Sequence, residues 1–269
     1  MDHRYTSFHL TAAGCTDPGQ RRTVNQDAWR IAGEAETAHL WAERGRFFAV
    51  ADGMGGHAAG EIASQLAIDT MFDEYYGSNN APLSPGIRME KAILAANLKI
   101  YEQAALQETQ AGMGTTIVAA VVRDDWLTIA NVGDSRAYLV RDGEPLQITH
   151  DHSWVAEQVE VGALSEEEAQ NHMYRSVVTR CLGHRSEVSV DIFDYALESG
   201  DVVLLCSDGL SNQVSAEEIA QILIEYPPDQ ATGELVDLAN QYGGPDNITV
   251  IVLHLLEPPG DVDQAKGPG

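Results

Sequence analysis

Five aspartates stand at the edges of strongly apolar stretches, most of them beside glycine. Asp52 follows the run 47–51 and opens Asp-Gly-Met-Gly-Gly. Asp134 lies in Asn-Val-Gly-Asp-Ser-Arg, after 126–132, and Asp208 lies in Leu-Leu-Cys-Ser-Asp-Gly, after 202–206. Asp246 sits in Gly-Gly-Pro-Asp-Asn just before 248–255, and Asp27 ends Arg-Thr-Val-Asn-Gln-Asp at the start of another extended stretch. A single Asp-Gly is ordinarily a turn signal. Repeated at strand edges, the pattern asks for another reason. Carboxylates gathered at one place repel one another strongly, and cations resolve the repulsion. Hard oxygen ligands without Cys or His fit Mg²⁺ or Mn²⁺ better than zinc. Gly53 has no side chain, so its carbonyl is free to face a metal. Two such ions about 4 Å apart hold a bridging hydroxide and clamp a phosphoryl group. Arg22, five residues before Asp27, is suited to forked hydrogen bonds with phosphate oxygens, although a lone arginine is ordinarily just a surface residue.

These residues need elements to bring them together. A helical pattern begins near Ala58, with Ile62, Leu66, Ile68 and Phe72 at helical spacing. After the loop GSNNAPLSPG at 77–86, a second helix covers about 87–106, with Ile93, Leu94, Leu98 and Tyr101 as its apolar stripe. Strands are expected at 115–122, 126–132 and 136–141, and Asp142-Gly143 is a hairpin signal to a further strand. The stretch 151–172 reads as an acidic, poorly packed helical excursion. Strands at 188–195 and 202–206, helices at 216–225 and 229–241, and a strand at 248–255 complete the chain. Strands that follow one another without helices suggest antiparallel sheets, and paired helices suggest outer layers. The fold class is therefore α+β, with helices covering two packed sheets.

Composition narrows the function. The chain has 269 residues, enough for one large domain or two small ones. Its net charge of −25, from 16 basic and 41 acidic residues, opposes binding to nucleic acid or anionic membranes. Solubility explains most of that charge. No apolar span is long enough for a bilayer, and MDHRYTSFHL lacks the layout of a signal peptide. Cys15, Cys181 and Cys206 imply no disulfide framework. A cytoplasmic monomer is the expectation.

Two further motifs invite chemistry. Cys15 to Arg21 has the spacing of a cysteine-phosphatase loop, but Asp17 and Pro18 are wrong for an electropositive cradle. His150-Asp151-His152 could suggest a metal pair, although ligation is the less favoured reading of it. Cys206, inside an apolar strand, reads as core.

In chain order the segments RTVNQD, VADGMGGHAAGE, GMGTT, NVGDSRAYLVRDG, THDHS to TRCLG, CSDGL and PDNITV run from about Arg22 to Val250. On these residues the chain resembles the metal-dependent protein phosphatases of type 2C (PPM family), in their bacterial form. The resemblance implies a helix–sheet–sheet–helix sandwich of two antiparallel sheets flanked by paired helices. It implies one catalytic domain at 1–257, with a helical flap at about 151–180 and a flexible tail at 258–269. It implies a serine/threonine phosphoprotein phosphatase in which a metal-bridged hydroxide attacks phosphorus directly. Two Mn²⁺ or Mg²⁺ ions are implied, with a weaker third. By this resemblance Asp52 bridges two metals, Gly53 gives its carbonyl to one, and Asp208 and Asp246 bind the other. Asp27 acts through a metal-bound water, Asp134 joins Asp208 at the third site, and Arg22 holds the substrate phosphate. Partners would be phosphoserine and phosphothreonine proteins and a serine/threonine kinase or its substrates. Two positions depart from some relatives: Met54 replaces a histidine proposed as the acid, with His57 three residues on, and Gln26 replaces a glutamate. The competing readings are a non-catalytic phosphoprotein-binding module on the same fold and a small-molecule phosphoester hydrolase.

Overall fold

A computed structural model describes residues 8–56, 59–77 and 83–257. His57, positions 78–82 of the expected loop and the expected tail at 258–269 lie outside the described residues. In chain order the elements begin with β1 (His9–Asp17), β2 (Asp27–Ile31), α1 (Glu34–Arg44), β3 (Arg46–Met54), α2 (Ala59–Gly77) and α3 (Pro85–Leu106). Next come β4 (Gly114–Thr115), β5 (Ile117–Arg123), β6 (Trp126–Val132), β7 (Arg136–Arg141) and β8 (Glu144–Gln147). Then follow α4 (Trp154–Glu160), α5 (Glu166–Gln170), β9 (Asp191–Ala196), β10 (Val202–Cys206), α6 (Asp208–Ser211), α7 (Ala216–Glu225), α8 (Pro228–Gln241) and β11 (Ile248–Leu256). No helix among the described residues is long and apolar enough to cross a membrane.

One sheet has the order β1-β11-β10-β7-β8, and the other β2-β3-β5-β6-β9 with β4 paired to β3. Every strand pair is antiparallel. The central strands are apolar on both faces because both faces are covered. In β3, Phe47, Ala49 and Ala51 pack under α2 and α3, while Phe48 and Val50 meet the other sheet. In β10, Leu204 and Cys206 pack under α7 and α8, while Val203 and Leu205 face inward. The four layers are thus helix, sheet, sheet, helix.

Several expectations need correction. β1 was not expected: it is an edge strand of small residues, paired only with β11, and shows no clean alternation. α1 was also missed, because only Thr37 is buried and no apolar stripe announces it. Local bonds hold it, with the Trp41 ring N–H donating to Thr37 Oγ1 at 2.8 Å. The expected stripe on α3 is wrong for three of its four residues. Met89, Ala92, Ile93, Ala96 and Ile100 are buried, whereas Leu94, Leu98 and Tyr101 are exposed. Small residues at the α2–α3 contact, such as Ala92, Ala96, Ala63 and Ala67, let the helices approach closely, and that decided the face. The excursion from 151 is two short helices, broken where Gly162 takes φ 72° and restarted by a capping box at Ser165.

Candidate metal and phosphate site

Asp52 is the register partner of Asp27 across β2 and β3, so both carboxylates share a face. It is the face of Phe48 and Val50, the one turned toward the other sheet. Asp208 and Asp246 arrive from that other sheet, one just after β10 and the other just before β11. Asp134 follows β6 and is buried. Side chains of both sheets therefore meet at one end of the sandwich. Arg22, Asp52, Gly53, Asp134, Asp208 and Asp246 line a cleft there of about 280 Å³, together with Gln26, Met54, Thr116, Ser176 and Val178. Asp27 is not part of its wall.

Main-chain bonds hold Asp52 and leave its carboxylate for the cleft. Its N–H donates to Thr116 Oγ1 at 3.0 Å, and its carbonyl accepts from Thr115 Oγ1 at 2.8 Å and from the Thr116 N–H at 2.9 Å. Thr116 Oγ1 also lies 2.7 Å from Ser135 Oγ, beside Asp134. Across the sheets, Ser207 Oγ donates to Asp27 Oδ2 at 2.8 Å. Both Asp-Gly pairs have a steric reason. A Cβ on Gly53 would collide with the carbonyl of Gly60, and one on Gly209 with the carbonyl of Asn247. Backbone from elsewhere passes directly over each.

The electrostatics are severe. Burial, with Asp27, Asp208, Asp134 and Asp246 nearby, holds the Asp52 carboxyl well above the usual carboxylate range. Burial pushes Asp27 up to about 7 against the hydrogen bonds that lower it. Burial, then Asp208 and Asp151, pushes Asp134 up to about 8. Burial and then Asp246 push Asp208 up to about 6. Asp27 Oδ1 and Asp208 Oδ1 are buried with no hydrogen-bond partner. Buried orphan oxygens are rare and need a reason. Among the described residues no three His, Cys, Asp or Glu side chains already close into a ligand cluster, so the carboxylates surround the cleft rather than fill it. An all-oxygen donor set with orphaned carboxylates fits hard divalent cations. Among the described residues the only cation on the cleft wall is Arg22, half exposed, whose Nη2 donates to Asp246 Oδ2 at 2.8 Å.

Sequence reasoning named the motif around Asn247 but assigned that residue no role. Its Nδ2 donates to Pro18 O and Val24 O, each at 3.0 Å, and its Oδ1 accepts from the Gln26 N–H at 2.8 Å. One buried side chain thus staples both ends of the loop that carries Arg22, directly beside Asp246. A polar residue immediately before an apolar strand was the available signal. Met54 lines the cleft, as does Gln26. Cys15 belongs to β1, and burial followed by Asp17 raises its thiol, the opposite of an activated nucleophile. His150, Asp151 and His152 do not line the cleft.

The sequence profile described as Protein phosphatase 2C matches residues 19–238. The chain belongs to the protein phosphatase 2C family. Among curated relatives, the serine/threonine phosphatase stp of Listeria monocytogenes is 39% identical over 241 residues, covering 88% of this chain and 93% of the relative. The crystal structure of the Mycobacterium tuberculosis serine/threonine phosphatase PstP/Ppp superposes with a TM-score of 0.81 at 39% identity, over 92% of this chain and 99% of that one. A structure of the PstP catalytic domain in complex with two manganese ions has a TM-score of 0.79 at 37% identity, over 92% of this chain and 98% of that one. Family membership accounts for the sandwich and for its acidic end.

Proposed function

We propose that this protein phosphatase 2C chain hydrolyses phosphoserine and phosphothreonine esters in proteins, using divalent cations held at the acidic end of the sandwich. The observation that carries the reading is the set of crowded, buried carboxylates with orphaned oxygens around a cleft whose wall bears Arg22. Asp52, the Gly53 carbonyl, Asp208 and Asp246 would hold the ions. Asp27, off the cleft wall and held by Ser207, would act at one remove. Asp134 would share a weaker site with Asp208. Bound ions supply Lewis acidity, both to activate water and to draw charge from the phosphoryl oxygens. The manganese complex of the PstP catalytic domain makes Mn²⁺ the first ion to try.

The chain's own groups do the rest. Arg22 offers several N–H donors at the rim, of which one Nη2 contact is taken by Asp246, so the others can orient a phosphoryl group. Asn247 keeps that loop in place. Met54 has no proton to give, so leaving-group protonation would have to come from another group or from solvent. We take residues 1–257 as one catalytic domain, with 151–180 as a flap whose Ser176 and Val178 reach the cleft. The physiological partners would be phosphoproteins made by a serine/threonine kinase.

The test is phosphate release from a phosphothreonine peptide by chelator-treated protein, with Mn²⁺, Mg²⁺, Ca²⁺ or Zn²⁺ added back. Activity with Mn²⁺ or Mg²⁺ that Asp52→Ala abolishes is expected. Metal binding without turnover would indicate a binding module. Turnover of small phosphoesters alone would indicate a different hydrolase.

A further inference from the structure

The triplet His150-Asp151-His152 stands between β8 and α4, where the 151–180 segment leaves the sheet. Asp151 receives a fork from Arg136: Nε reaches Oδ1 at 2.9 Å and Nη2 reaches Oδ2 at 2.7 Å. His152 meets Gly133 twice. Its main-chain N–H donates to the Gly133 carbonyl at 3.0 Å, and its ring Nδ1 accepts from the Gly133 N–H at 2.9 Å. Gly133 and Arg136 bracket Asp134. Two adjacent residues therefore grip both flanks of the turn that presents Asp134 to the cleft.

The ring of His152 is fixed on its far side as well. Since Nδ1 accepts, Nε2 carries the proton and donates to Asp191 Oδ2 at 3.0 Å. Arg180 Nη1 donates to the other oxygen of Asp191 at 2.7 Å. Arg180 lies at the other end of the same excursion. The two ends are zipped together: the Thr179 N–H donates to the His152 carbonyl, and the Trp154 N–H to the Val177 carbonyl, each at 2.8 Å. Val178, in that zipped stretch, lines the same cleft as Asp134. His152 is buried, at 6% exposure.

We propose that His152 is a positioning residue for the phosphatase reaction: with Asp151 it clasps the 133–136 turn, sets Asp134 in the cleft and ties that carboxylate to the 151–180 segment. The proposal rests on the reading of Asp134 as a cleft ligand and deepens it. Partners that orient a metal ligand commonly matter almost as much as the ligand itself. A histidine that accepts a main-chain N–H on one nitrogen and donates from the other cannot be replaced by alanine, which can do neither.

The experiment compares full-length wild type, His152→Ala, Asp134→Ala and the double variant. Mn²⁺ binding is followed by calorimetry, phosphate release gives kcat and KM at saturating Mn²⁺, and a thermal melt reports folding. His152→Ala is expected to weaken the weakest Mn²⁺ event and to lower kcat by roughly 10- to 100-fold with KM little changed. In the Asp134→Ala background it is expected to add nothing, because its effect runs through Asp134. Losses that simply add in the double variant, or a wild-type Mn²⁺ titration from folded His152→Ala, would overturn the clasp. If His152→Ala does not fold, Asp191→Asn and Asp191→Ala replace it. Asparagine keeps an acceptor for the ring N–H, so it should retain the weak Mn²⁺ event that alanine loses; equal behaviour overturns the proposal. An unchanged titration in Asp134→Ala would instead strike the reading of Asp134 itself, and a wild type that releases no phosphate would strike the phosphatase reading.

Discussion

Strand β10 is flanked by two aspartates, Asp201 before it and Asp208 after it. Both carry oxygens removed from water, and they are treated in opposite ways. The side chain of Asp201 is 1% exposed and fully matched. Arg141 forks onto it, Nε to Oδ1 at 2.8 Å and Nη2 to Oδ2 at 2.7 Å, and the Glu198 N–H adds a third bond at 2.8 Å. Asp208 accepts from Asn212 Nδ2 at 3.0 Å, while its Oδ1 is buried and unpartnered and Asp246 stands close by. The arginines at the two ends differ in the same way. Arg141 spends its donors on Asp201, Glu198 and a carbonyl, whereas Arg22 makes one contact with Asp246 and is half exposed. Burial therefore does not mark a functional carboxylate in this molecule. On the proposed reading a missing counter-charge does, because the chain would leave it to be supplied from outside.

The sharpest way to break this contrast is Asp52→Ala. Turnover should fall by roughly 10³-fold, since the group that would hold both ions is gone. The metal-free melt should not fall, because one of several repelling carboxylates has been removed. A circular dichroism melt well below wild type would show that Asp52 stabilises the fold as Asp201 does. Next in size, Arg22→Ala should lower kcat/KM by roughly 10- to 100-fold through lost charged hydrogen bonds, and lysine should restore only part because it cannot fork. Phosphate-release kinetics on both variants decide this.

Asp201→Ala should do the reverse of Asp52→Ala. It should cost about 2 kcal/mol of stability, below the usual figure for a broken buried pair because Arg141 is a third exposed and keeps Glu198. Turnover at saturating Mn²⁺ should stay near wild type. Denaturant unfolding and phosphate release together check the prediction.

A pH series tests the same contrast without a substitution. Asp208, Asp27 and Asp134 are raised in the folded chain to about 6, 7 and 8 from an ordinary 3.8. A raised carboxyl binds its proton more tightly folded than unfolded. Its stabilising contribution is full below the unfolded value and disappears as pH rises through the folded one. Metal-stripped protein should therefore lose stability between pH 5 and pH 8, which a melt reads as a falling melting temperature. Saturating Mn²⁺ should flatten that slope, as should Asp52→Ala, and Asp201→Ala should leave it in place. A metal-free melting temperature that rises over this range would contradict the picture of crowded, unmatched carboxylates.

Much of the architecture was legible because its signals are local. The strands that bear Asp52, Asp134, Asp208 and Asp246 are buried on both faces, so they read as unbroken apolar runs. Helix α7, with Ser215 capping and a clean apolar stripe, was equally plain. β1 and α1 were not, since one depends on pairing with β11 and the other buries almost nothing. On α3 the larger residues were assigned to the core, but close helix packing chose the small ones.

The sequence by itself determined which residues could do chemistry. Aspartates at strand ends, glycines beside three of them, an excess of acid over base and Arg22 five residues before Asp27 are all written in the chain, and they suffice to name hard cations and phosphate. Only the tertiary structure decided which carboxylates are left unmatched. Asp201 also sits at the edge of an apolar strand, and nothing nearby in sequence separates it from Asp208; Arg141 does, from 60 residues away. Asn247 holding the Arg22 loop across 229 and 223 residues, and His152 clasping Gly133 across 19, are decisions of the same kind. Charge compensation is set by distances in space, and those distances exist only once the two sheets have packed.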